Sequence, residues 1–205
     1  MDSPLVVALI VMGLIVLGLA AWYFARQKQT QRLRERFGPE YDQTVKTLQS
    51  QQRAETELSQ REKRVRKYNI TALPQSERAE YQKNWRAIQS HFVDQPESAV
   101  AEANRLVQEV MRRCGYPLAD FEQSAADLSV DHPHVVENYR AANRIAQRSE
   151  LTAATTEELR QALVHYRALF DDLLGSETPR VSEERIATAA GRMVNGKAPN
   201  THPNH

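Results

Sequence analysis

Twenty consecutive residues near the start of the chain, Leu5 to Phe24 (LVVALIVMGLIVLGLAAWYF), contain no charged side chain. Wound into a helix at about 1.5 Å per residue, such a stretch is roughly 30 Å long, the thickness of a bilayer's hydrocarbon core. Trp22 and Tyr23 lie at its end, where amphipathic rings favour the headgroup zone, and Arg26, Lys28, Arg32, Arg34 and Arg36 follow with only Glu35 against them. Before the stretch there is Asp2 and neither Lys nor Arg. Basic residues are retained on the cytoplasmic side of a membrane, so this asymmetry predicts a single span in the cell (inner) membrane, N-terminus outside and C-terminal body in the cytoplasm. A cleaved signal peptide, with Gly18-Leu19-Ala20 as the cleavage site, would need a basic leader and a shorter apolar core, and the segment has neither. Gly13 and Gly18 are five apart rather than four, so the span carries no small-residue dimer face built on them.

Past the stretch the chain changes character. Residues 26–70 hold 12 Lys and Arg against 6 Asp and Glu. Beyond residue 70 acids outnumber bases, and the whole chain returns to a formal charge of +1. The first basic cluster, Arg26, Lys28, Arg32, Arg34 and Arg36, is the candidate membrane-surface site, each cation adding on the order of 1 kcal/mol near anionic headgroups. Gly38-Pro39 interrupts the pattern, and Pro39 is well placed to open a helix. From Glu40 to Tyr68 there is neither Gly nor Pro, and apolar residues are sparse. Tyr41, Val45 and Leu48 make a stripe, Gln52 and Glu55 break it, and Leu58 and Val65 resume it in another register. So polar a helix reads as a solvated stalk or a weak coiled coil. Its second basic run, Arg61, Lys63, Arg64, Arg66 and Lys67, has only Tyr68 as a neighbouring aromatic, which argues against nucleic acid and for a solvated face, with an acidic protein partner as the alternative.

After the break at Thr71 to Pro74, amphipathic patterns strengthen. Tyr81, Trp85, Ile88 and Phe92 share one helix face, and Val100, Ala103, Leu106, Val107, Val110 and Met111 share another. Gly115 and Pro117 stop the second helix. A short helix follows with Leu118, Phe121, Ala125 and Leu128 on one side. Asp131 is placed to cap a helix carrying Pro133 in its first turn and Val135, Tyr139, Ala142 and Ala146 inward. A last helix from about Thr156 carries Leu159, Leu163, Tyr166, Phe170 and Leu173 up to Gly175. Strand-like alternation is absent outside the apolar stretch. The predicted fold is all-α: an N-terminal transmembrane helix, a polar helical stalk and a compact multi-helix bundle. In residues, this is a short external tail (1–4), the span (5–25), the basic juxtamembrane and stalk segment (26–70), the bundle (71–175) and a tail (176–205) that is mostly disordered, with a marginal helix near Ser182 to Met193.

Three strings, RFGPEYD (Arg36 to Asp42), DFEQSAADLSVDHPHVVENYRAA (Asp120 to Ala142) and VHYRALF (Val164 to Phe170), resemble segments of an uncharacterised family of bacterial single-pass membrane-anchored helical proteins. The resemblance covers most of residues 1–175. It implies a bacterial source and membrane anchoring, and no activity or site residue comes with it.

Reactive constellations are scarce. His134 and Glu137 are three apart, as ligands on one helix face are, with Asp131 and His132 beside them and His165 as a third metal-ligand candidate on another helix. A di-iron bundle needs Glu-x-x-His pairs, and the chain has none. It also has no Gly-x-Ser-x-Gly elbow, Walker loop or dinucleotide fingerprint. The lone Cys114 forbids an intramolecular disulfide and falls at the end of an apolar stripe, as a small core residue does. No catalytic residue and no cofactor is expected. The leading expectation is a non-enzymatic interaction or scaffold module whose partners are the lipid bilayer and a protein, with a homo-oligomer compatible. The alternatives are a metal-binding protein or enzyme built around Asp131 and His134, and a sensor of the membrane surface or of envelope stress.

Overall fold

In a computed structural model, backbone structure is described for residues 3–151 and 154–175, and side chains for 11–149 and 154–175. The expected tail, with its marginal helix, lies outside the described residues. All regular structure among the described residues is helical: α1 (Ser3–Phe37), α2 (Pro39–Leu48), α3 (Gln51–Val65), α4 (Gln75–His91), α5 (Pro96–Arg113), α6 (Phe121–Asp131), α7 (Val136–Leu151) and α8 (Thr156–Gly175). Among the described residues the structure is therefore an all-α helical bundle, as the sequence predicts.

By its internal contacts the chain divides into two units. The first holds Met1–Lys67 and Ala119–Arg140, and the second Tyr68–Leu118 and Ala141–His205.

The first unit overturns the solvated stalk. Where one long polar helix was expected, the chain makes two, because Gln49 adopts a left-handed conformation (φ 50°) and ends α2. Ser50 is extended, and its hydroxyl accepts the Arg53 amide at 3.4 Å to start α3. The shift in register of the apolar stripe is thus the mark of a turn. Gly38, at φ 47°, makes the corresponding break between α1 and α2, and Pro39 opens α2 as expected. Leu33 and Phe37 of α1, Tyr41 of α2, and Ala54, Leu58 and Val65 of α3 are buried. α6 packs on α1 and α3, adding Ala125 and Leu128 to this core.

Asp131 does not stand at the start of α7, where a cap was expected. Asp131 is the last residue of α6, His132 follows as its C-cap, and α7 begins only at Val136 after a turn over 133–135. Asp120 does cap, its carboxylate accepting the Gln123 amide at 2.8 Å.

In the second unit α5 packs against both α4 and α8. Most of the residues expected on its inner faces are buried, among them Trp85, Val100, Ala103, Val107, Val110, Met111, Leu159, Leu163, Tyr166, Phe170 and Leu173, while Tyr81, Phe92, Leu106 and Ala146 are half-buried. Trp85 stacks on Phe170 with ring centres 4.8 Å apart, and the Arg167 guanidinium lies 5.4 Å from the Trp85 ring centre. α5 ends in a Schellman turn: Tyr116 N–H donates to Met111 O and Gly115 N–H to Arg112 O, both at 3.0 Å, with Gly115 at φ 99°. α8 opens with a capping box. Thr155 Oγ1 accepts the Glu158 amide at 3.2 Å, and Glu158 Oε2 accepts the Thr155 amide at 2.9 Å.

α1 runs without a break from Ser3 to Phe37. Among the described residues no helix is long and apolar enough to cross a membrane. Of the uncharged stretch, Leu5 to Ile10 have side chains outside the described residues, and the part from Val11 to Phe24 is about 21 Å of helix, less than a bilayer core. The expected span is therefore not shown by the described residues. Its large apolar side chains from Val11 to Phe24 are between 49% and 67% exposed.

Candidate functional site

Below its apolar part α1 turns basic, and the first unit uses that basicity internally. Residues four apart on a helix share a face, so Lys28, Arg32 and Arg36 project on one side of α1. On α3 the facing residue is Glu62, whose side chain is 4% exposed. Arg32 Nη2 donates to Glu62 Oε2 at 2.6 Å. Glu62 Oε1 lies 3.3 Å from Arg36 Nε yet makes no hydrogen bond, so that contact is one of charge alone. Arg36 also stands 3.7 Å from Asp131. Arg34 sits over the Tyr41 ring at 5.1 Å, and Arg26 over Trp22 at 5.5 Å.

Three further carboxylates are buried in the same unit. Glu40, on α2, is 3% exposed and receives two arginines. Arg140 clasps it with both terminal nitrogens, at 2.6 and 2.9 Å, and Arg61 Nη1 donates to Oε1 at 2.7 Å and lies 3.2 Å from Ser129 Oγ. Burial alone would raise the Glu40 carboxyl's pKa, but the two guanidiniums outweigh it and hold the group below the ordinary carboxylate value. Glu55 Oε1 accepts from Thr30 (2.8 Å), Gln51 (2.8 Å) and Tyr41 (3.0 Å). Burial is again the largest single influence, and these donors together reverse it, so the Glu55 carboxyl is also held low. The Tyr41 hydroxyl moves the opposite way: burial, then its bond to Glu55, raise it. Asp127 accepts from Arg64 Nε at 2.7 Å and from Gln123 at 2.9 Å. The second basic run is thus not wholly a solvated face, since Arg61 and Arg64 are spent on buried acids.

The unit also carries a groove of about 800 Å³ between α1 and α3, lined in part by Lys28, Arg32, Glu35, Ser59, Glu62, Lys63 and Arg66. Lys28, Lys63 and Arg66 form no ion pair or side-chain hydrogen bond among the described residues. Ser59 Oγ is buried there without a hydrogen-bond partner. Of the five arginines and lysines expected at a membrane surface, Arg32, Arg34 and Arg36 have internal contacts, Arg26 covers Trp22, and Lys28 is left facing the groove. The sequence reading took the α3 half of this surface for the solvated face of a stalk, and so did not join it to the α1 half.

The candidate metal ligands are not assembled. His134 is exposed, its ring beside the Gly38 turn. Glu137 accepts from Gln43 at 3.0 Å and lies 3.8 Å from Arg140. Asp131 faces Arg36, and His165 belongs to α8 in the second unit. Among the described residues, no three His, Cys, Asp or Glu side chains gather where they could hold a metal ion. Cys114 is buried, and loss of hydration pushes its thiol up to about 11, which makes it a poor nucleophile at neutral pH. In comparisons with known proteins, no family model, no curated protein and no solved structure matches the chain.

Proposed function

We propose that this protein is a membrane-tethered, non-enzymatic interaction module, held in a bilayer by the first part of α1 and presenting its helical units on the cytoplasmic side. The observation that carries the reading is the change of character along one unbroken helix. From Val11 to Phe24, ten large apolar side chains are about half or more exposed and point in every direction around α1. Covering a Leu, Ile, Val or Phe side chain is worth roughly 1.5–3 kcal/mol, so leaving ten in water is very unfavourable. A partner helix would cover one stripe; an environment apolar on all sides suits a helix apolar all round. Within a turn the same helix becomes basic, and at Leu33 and Phe37 one face of it is buried in the first unit.

Orientation follows from the five basic residues after the stretch, which resist translocation. Interaction rather than catalysis is supported by how the buried acids are used: Glu40, Glu62 and Asp127 each face arginine, and Glu55 is surrounded by donors. Acids matched in this way hold the packing of the helices in place.

Two measurements on the full chain in cells test the proposal. The protein should stay with membranes through an alkaline carbonate wash, and a C-terminal fluorescent reporter active only in the cytoplasm should light up. Release by the wash, or a reporter active only outside the cytoplasm, refutes it.

A further inference from the structure

We propose that the groove between α1 and α3 is a phosphate site for the headgroup of an anionic phospholipid, drawn from the bilayer that anchors α1. This rests on the membrane reading above and adds a ligand class and a set of contacts to it.

Three observations converge on the groove. The first is charge. Lys28, Arg32, Lys63 and Arg66 line it against Glu35 and Glu62, an excess of two positive charges. Glu62 is already compensated by Arg32 and Arg36, whereas Lys28, Lys63 and Arg66 pair with no acid among the described residues. Lys28, Lys63 and Arg66 are exposed cations, and three of them without an ion pair around one concavity make a site for an anion. The second is an orphaned donor. Ser59 Oγ, on the wall between the two helices, is buried and makes no hydrogen bond. A hydroxyl in that position can donate to a phosphate oxygen, which would repay its lost hydration.

The third observation is depth. A second groove, of about 480 Å³, shares Ala25, Gln29, Ser59 and Lys63 with the first and reaches Trp22. The cationic floor therefore opens toward the end of α1 where an indole ring would mark the membrane interface. Lys28 is about 9 Å along the helix from Trp22, within reach of a phosphate at the bilayer surface. The diacylglycerol part of a lipid would stay beside the exposed apolar side chains of α1 while its phosphate enters between Lys28, Ser59 and Lys63. A basic patch spread over one face would attract any anionic surface; a groove with a buried hydroxyl selects a phosphate ester at a defined place.

The test uses the full chain, purified in mild detergent with phosphatidylglycerol and phosphatidylcholine in equal amounts, with bound lipid counted by native mass spectrometry. The wild type should retain phosphatidylglycerol preferentially. Lys28→Gln with Lys63→Gln, both exposed and without internal partners, should weaken that retention about 30-fold, taking each cation's headgroup attraction as independent. Lys46→Gln with Arg53→Gln removes the same charge from outside the groove and should leave retention unchanged. Equal loss in both double variants, or no preference in the wild type, overturns the proposal. So does displacement of the lipid by millimolar inorganic phosphate, which would make a soluble anion the ligand. The carbonate wash separates the two readings: if the wild type washes off membranes, the anchor fails and the lipid site with it, whereas a retained protein without lipid preference refutes the site alone.

Discussion

Glu40 is the side chain on which the first unit's polar interior turns, and its removal has a computable effect. In Glu40→Ala, Arg61 and Arg140, 11% and 15% exposed, lose the carboxylate between them. Breaking a buried ion pair by deleting one partner costs about 3–5 kcal/mol, because the surviving charge stays buried. Here two facts place the cost near the lower end. Arg61 keeps Glu57 at 2.9 Å, and Arg140 keeps Glu137 at 3.8 Å. Those acids are 35% and 48% exposed, so each pair returns only a few tenths of a kcal/mol. A loss of about 3 kcal/mol corresponds to roughly 150-fold faster amide exchange in α2 and α3 through local opening, read by hydrogen–deuterium exchange on the full chain. Replacing all three charges with apolar residues of similar size (Glu40→Met, Arg61→Leu, Arg140→Met) should recover most of the protection, since no buried charge is then left unpaired. The pH dependence has a definite sign. The folded-state pKa of Glu40 lies below its ordinary value, so its contribution is complete above the ordinary carboxylate range and is lost as pH falls through the lowered value. Glu40→Gln should lack this part of the acid limb. A change in exchange below about fivefold in Glu40→Ala would refute the reasoning.

Three other substitutions or reactions probe the second unit. Trp85→Ala removes a fully buried ring stacked on Phe170 and should cost about 3–5 kcal/mol, seen as loss of amide protection in α4 and α8. Gly115→Ala places a Cβ 2.3 Å from Asn69 O at a φ of 99°, so the chain must move; a loss of about 2 kcal/mol or more is expected in thermal melts. The Cys114 thiol, pushed up to about 11, should react with a disulfide reagent at neutral pH only after denaturant is added, and rapid reaction in the folded protein would contradict its burial.

The second unit was legible in the sequence because hydrophobic burial writes a periodic pattern. Trp85 with Ile88, and Leu159 with Leu163, Tyr166, Phe170 and Leu173, sit at helical spacing and are buried together. Helix ends were legible where one residue type suffices: Gly115 at a left-handed C-terminus, Pro39 at a first turn, the break after Pro74. They were not legible where polar side chains compete. Asp131 and Asp120 are both suitable caps on chemistry alone; Asp120 caps the start of α6, whereas Asp131 completes that helix and faces Arg36. The turn at Gln49-Ser50 carries neither Gly nor Pro, and a glutamine at φ 50° is a conformation that tertiary packing imposes rather than one its composition announces.

The first unit was misread for a deeper reason. Counting apolar residues assumes that a helix face must be oily to be buried, and on that count α3 has only Ala54, Leu58 and Val65 to offer. The rest of its inner face is Glu55 and Glu62, whose burial is tolerable only because α1 and α2 bring Thr30, Arg32, Arg36 and Tyr41 to within bonding or charge-contact distance. Each acid looks solvated alone and becomes buried only once its partner, up to 100 residues away for Glu40 and Arg140, is in place. Pairing of that kind has no period to detect. It also explains why the groove's cations stand out only in three dimensions: along the chain Lys63 and Arg66 are indistinguishable from Arg61 and Arg64, and they differ solely in which of them found an acid.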